Sequence, residues 1–167
     1  MTVLFAILVA VVAWMKPESG GMLETAQSDG VTFVSDDDPA MLAAFRKARS
    51  TLDGFLALAA SPPPNTDSFA VKVAISQGSR QEYFWISPFQ REGESFYGRI
   101  SNTPQVVSNV AEGQEFRFER AEVVDWSYEN SLEKKMYGNF TACALLTHES
   151  EASAAAFKAE YGLDCDT

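Results

Sequence analysis

Phe69-Ala-Val-Lys-Val-Ala-Ile75, Gln77-Gly-Ser79 and Glu82-Tyr-Phe-Trp-Ile-Ser87 decide how this chain folds. Phe69, Val71, Val73 and Ile75 alternate with Ala70, Lys72 and Ala74, the two-residue period of a half-buried strand. The glycine-centred break predicts a tight turn, which makes the second run the antiparallel partner of the first. Arg91-Glu-Gly-Glu94 predicts the next turn, into Phe96-Tyr-Gly-Arg-Ile100, and Ser101-Asn-Thr-Pro104 ends that strand. Gly98 is expected to permit a bend or bulge. Val106, Val107 and Val110 read as a short connection ending at Glu112-Gly113. Phe116 and Phe118 alternate with Arg117 and Glu119 in a fourth strand, and residues 123–128 give a fifth. Phe140-Thr-Ala-Cys-Ala-Leu-Leu146 reads as the last strand, so the expected sheet is antiparallel, bent, and five to six strands wide.

A long helix precedes these strands. In Ser35-Asp-Asp-Asp-Pro39 the acidic side chains accept unpaired helical amides and Pro39 suits the first turn. Calcium is the other reading of a triple acid, but the alternating ligands, central Gly and late Glu of a calcium loop do not follow. Met41, Leu42, Phe45, Ala48, Leu52, Phe55, Leu56 and Ala59 recur at three- and four-residue steps, an apolar stripe that suits the underside of the sheet. Pro62-Pro-Pro64 stops the helix. A second amphipathic helix is predicted over residues 149–161, with Ala154, Phe157 and Tyr161 on one face and Gly162 at its end. The fold class is α+β, with one domain over residues 31–167 and a short extra strand at Val31-Thr-Phe-Val34.

The chain has 167 residues, a formal charge of −10 and one histidine. That charge excludes a nucleic-acid partner, because no basic stripe exists to displace phosphate counterions; Arg46, Lys47 and Arg49 are the densest basic cluster. With one histidine and no Cys-x-x-Cys, neither a zinc site nor a redox cofactor is expected, and no other cofactor is called for. Residues 3–15 are wholly apolar, too few for a comfortable span and suited to a signal-peptide core or a short anchor. The alternative is a buried core segment. Residues 16–30, rich in Ser, Gly, Glu and Gln, read as a linker. The chain is expected in the periplasm or anchored to the inner membrane of a bacterium. Cys143 and Cys165 are the only thiols. In an oxidising compartment they would join into a disulfide; the other reading is a buried free Cys143 and an incidental Cys165.

Asp125-Trp126 is the sharpest local candidate. A carboxylate beside an indole works as an acid or base when burial raises its pKa, and Glu82 on a neighbouring strand would supply the second carboxylate. The structural reading is a corner, with the acid accepting backbone amides while the ring packs. Trp85, Tyr97 and Trp126 are the candidate binding aromatics if they emerge together on the sheet face away from the helix, with Glu82 and Asp125 beside them. Their burial beneath the helix is the competing reading. No Gly-x-Ser-x-Gly elbow and no Cys/His pair supports a nucleophile.

Asp38-Pro-Ala-Met-Leu-Ala-Ala-Phe-Arg-Lys-Ala-Arg49, Glu82-Tyr-Phe-Trp85, Gly98 with Asn102 and Pro104, Asp125-Trp126 and Gly138-Asn-Phe-Thr141, in that order, resemble the YegJ-like family of uncharacterised bacterial proteins. The resemblance runs over residues 35–146. It implies a stand-alone domain and supplies no catalytic residue; the C-terminal helix and Cys165 fall outside it. The expected function is a small non-enzymatic module that binds a protein or an envelope component, attached to the membrane through residues 3–15. An immunity-like form would use the acidic surface against a basic toxin. The alternative is an acid/base enzyme using Glu82 and Asp125.

Overall fold

Asp38 starts the first helix as its position predicts. Its carboxylate accepts the backbone N–H groups of Ala40 (2.9 Å) and Met41 (3.0 Å), and Pro39 occupies the first turn. This is a computed structural model, and it describes residues 38–165. The expected signal or anchor at 1–15, the linker at 16–30 and the strand at 31–34 lie outside the described residues. Helix α1 (Pro39–Ala60) leads into β1 (Thr66–Gln77), β2 (Arg80–Glu92), β3 (Ser95–Ile100) and β4 (Glu115–Glu119). A single 3-10 turn then precedes β5 (Val123–Asn130), β6 (Lys135–Gly138), α2 (Phe140–Leu146) and α3 (Glu151–Tyr161).

All six strands form one antiparallel sheet in the order β4-β3-β2-β1-β5-β6. The opening hairpin holds an unbroken register from Val71↔Ile86 to Gln77↔Arg80. On one face Val71, Val73, Phe84, Ile86, Phe96 and Ile100 pack with Ala48, Leu52 and Phe55 of α1. Phe55 stacks on the Trp126 indole at 4.9 Å, and truncating such a buried ring costs about 3–5 kcal/mol. The other end of α1 contributes Met41, Ala44 and Phe45 to a second cluster with Tyr83, Val124 and Ala144. Tyr83 and Phe84 are consecutive and leave β2 on opposite faces, so both faces are covered at this point.

The reason lies in the length of β6. It pairs only with Ser127–Asn130, leaving the first half of β5 without a strand on that side. Helices take its place: Arg49 Nε donates to the Val123 carbonyl (3.4 Å), the Asn139 N–H to the Trp126 carbonyl (2.8 Å), and Trp126 Nε1 to the Ala48 carbonyl (3.1 Å).

The structure corrects one element. Phe140–Leu146 is a helix, and the sixth strand is Lys135–Gly138. Gly138 (φ 78°) and Asn139 (φ 51°) both adopt left-handed geometry, which turns the chain off the sheet before Phe140. Gly98 sits against a bulge on its partner strand between Ile86 and Phe89; a Cβ there would lie 2.6 Å from Ile86 Cγ2. At the C-terminus Ser150 caps α3 and Gly162 ends it in left-handed geometry. Ala142, Leu146 and Leu163 form a third cluster with Ala154 and Phe157. Cys143 and Cys165 are joined by a disulfide with a Cα–Cα distance of 5.6 Å. Closing a loop with this sequence separation of 22 stabilises by about 3 kcal/mol in the chain-entropy account.

Candidate functional site

Glu82 is buried, and its carboxylate is fully occupied. It accepts the backbone N–H groups of Gln105 (2.9 Å), Val106 (2.9 Å) and Val107 (3.0 Å), pinning the connection between β3 and β4 onto the sheet. Asp125 accepts four hydrogen bonds. Oδ1 accepts the amides of Trp126 (2.9 Å) and Phe140 (3.2 Å), while Oδ2 accepts the amide (2.8 Å) and hydroxyl (2.6 Å) of Thr141. It thus supplies from a strand the acceptor that the start of α2 needs, since Asn139 makes no side-chain cap.

The two carboxylates do not converge. Glu82 pairs with Ile75 and Asp125 with Lys72, and positions 72 and 75 of the continuous strand β1 face opposite ways. The alternative that would join them as acid and base meets the sheet itself standing between them. The expectation for Trp126 is corrected. Its indole is 8% exposed, stacked on Phe55 and met edge-on by Phe140, so it belongs to the core and not to an open aromatic face. Trp85 and Tyr97 are half-buried, and both leave the face opposite Phe84 and Phe96. They are not neighbours, because Tyr97 pairs with Gln90 and bonds its side chain (3.0 Å), five residues along β2 from Trp85.

Two residues that the sequence left unremarked complete the site. Lys72 is buried; its Nζ donates to Thr141 Oγ1 (2.6 Å) and lies 4.5 Å from the centre of the Trp85 ring. Thr141 passes its own proton toward Asp125, so ammonium, hydroxyl and carboxylate form a directed chain roofed by Trp85. Burial pushes the Lys72 ammonium down, against the pull of Asp125. Burial also pushes the Asp125 carboxyl up, opposed by Lys72 and by the donors from Thr141 and Trp126. Asn102 fixes the roof, accepting the Trp85 backbone N–H at 2.9 Å. In the alternating pattern Lys72 reads as a solvent-facing residue; what covers it comes from α2 and Trp85.

What remains open is the outer face of β2 to β4. There Trp85 and Tyr97 are half-exposed, and Arg99 and Arg117 are exposed. Arg117 pairs with Tyr97 in register and forms an ion pair with Glu92 at 2.5 Å. Among the described residues no three His, Cys, Asp or Glu side chains gather as metal ligands would. No helix of the described residues is long and apolar enough to cross a membrane.

The family described as "Uncharacterized protein conserved in bacteria (DUF2314)" matches residues 38–165, the whole of the region described above. The chain belongs to this family. It is similar to the Uncharacterized protein YegJ of Escherichia coli (strain K12), with 34% identity over 119 residues, 71% of this chain and 75% of that one. No solved structure matches the chain. In DUF2314 terms, the matched span begins at the Asp38 cap and ends at Cys165, so the disulfide and α3 are inside the family's boundaries, beyond the reach of the motifs quoted above.

Proposed function

We propose that this DUF2314 protein is a non-enzymatic binding domain, exported and attached to the membrane through residues 3–15. It takes a protein or envelope component on the outer face of β2 to β4. Trp85 carries this reading. Its backbone is fixed by Asn102 and one side of its ring is engaged by Lys72, yet the residue remains partly open to solvent. A rigid, half-exposed tryptophan offers large contact area at little entropic cost, and Tyr97 and Arg117, further along the same face, are of the residue types that anchor interfaces. Glu82 and Asp125, which the acid/base alternative needs together, each accept backbone amides and lie on opposite faces of the sheet, which favours binding over proton transfer. Glu92, Glu115 and Glu119 border the patch and suit a cationic partner, the immunity-like form of this reading.

The test is capture of a partner from envelope extract by the immobilised protein, repeated with Trp85→Ala and Tyr97→Ala. Both variants should lose the partner while keeping the parent's far-UV spectrum; Trp85→Ala, which uncovers Lys72, should melt lower, and Tyr97→Ala should melt near the parent. Retention of every partner by both would rule the surface out.

A further inference from the structure

α1 turns a second, different surface to solvent. Leu42, Arg46, Lys47, Arg49 and Ser50 are exposed over two helical turns, and no acidic residue occurs from Pro39 to Leu52. The first acid below them, Asp53, is engaged by Arg120 at 3.0 Å, and Asp38 above them by His148 at 3.1 Å. Neither Arg46 nor Lys47 has an ion-pair partner among the described residues. This concentration of unneutralised cations stands out in a chain whose formal charge is −10.

We propose that this face of α1 lies on an anionic lipid surface. Charge complementarity favours that occupant: an acidic molecule is repelled by such a surface everywhere except where cations cluster, and Leu42 beside them offers an apolar contact. Twenty-two residues separate the apolar residues 3–15 from Asp38, so membrane attachment there would hold α1, the first of the described elements, within reach of the headgroups. The inference rests on the attachment reading for delivery alone. The same half of α1 packs inward through Met41, Ala44 and Phe45, so Leu42 and the cations project from the other side of the helix.

The full chain carrying an environment-sensitive fluorophore at Ser50→Cys, or at Glu94→Cys as control, is mixed with phosphatidylcholine vesicles or with vesicles containing phosphatidylglycerol. Both sets carry a headgroup quencher. Quenching of the Ser50 site on anionic vesicles only, with the Glu94 site unaffected, is the expected result. High salt should reverse it, and Arg46→Glu with Lys47→Glu should weaken it about 20-fold or more, at about fivefold per cation lost. Sedimentation with both vesicle types while the Ser50 label stays in water would overturn the α1 assignment and leave attachment through residues 3–15 intact. Sedimentation with anionic vesicles alone, abolished by the double variant, would support α1 and remove the anchor. No sedimentation with either would overturn both.

Discussion

Lys72 and Asp125 face each other across β1 and β5, and the Thr141 hydroxyl stands between them, 2.6 Å from each. A buried cation and anion so arranged stabilise little against an apolar replacement, yet removing one alone strands the other. Lys72→Met is therefore expected to cost about 3–5 kcal/mol in urea denaturation. Thr141→Val, which removes one hydroxyl and keeps both charges, should cost about 1–3 kcal/mol. A Lys72→Met variant as stable as the parent would show that Asp125 does not depend on the ammonium.

Gly138 and Gly113 separate two reasons for glycine. Both have positive φ, 78° and 76°. A Cβ at Gly138 would run into the Trp126 carbonyl oxygen and ring, whereas nothing lies within 4 Å of the corresponding point at Gly113. Gly113→Ala should cost about 1 kcal/mol, the backbone term alone. Gly138→Ala should cost more than about 3 kcal/mol, because Trp126 is fixed by Phe55 and Ala48 and cannot give way. Equal losses on thermal melting would mean that the strand end shifts to admit the methyl group.

These relationships also show where the sequence was readable. α1 and the first four strands could be placed because their partners are neighbours along the chain, and hairpins convert local turn chemistry into sheet order. The segment Phe140–Leu146 could not. Its composition suits strand or helix, and the group that starts it as a helix is Asp125, 15 residues back and adjacent only in space. Trp126 illustrates the same limit: alternation assigns a residue to a face, but the shortness of β6 lets α1 reach that face at the sheet's edge. The corner reading of Asp125-Trp126 matches what both side chains do; the open cluster of Trp85, Tyr97 and Trp126 does not exist.

Glu82 gives a prediction with a local readout. Glu82→Gln keeps one carbonyl acceptor and removes the charge that holds three consecutive amides, so the loss should be about 2–3 kcal/mol. Hydrogen exchange should accelerate first at Gln105, Val106 and Val107, while β1 amides stay protected in proportion to global stability. Uniform acceleration over the whole sheet would mean that this connection has no independent stability.

Acid sensitivity should trace in part to the start of α1. The Met41 amide, helped by that of Ala40 and by the His148 ring, holds the Asp38 carboxyl below its ordinary value. A depressed carboxylate contributes stability that is complete above the unfolded pKa, about 4, and disappears as pH falls through the lower folded value. Asp38→Asn keeps an acceptor for the two amides but has no proton to gain in this range. Urea midpoints measured from pH 6 to pH 2.5 should therefore fall more steeply for the parent than for Asp38→Asn, the curves converging at the acid end. Parallel curves would show that the cap is held by its geometry alone and that its charge adds nothing.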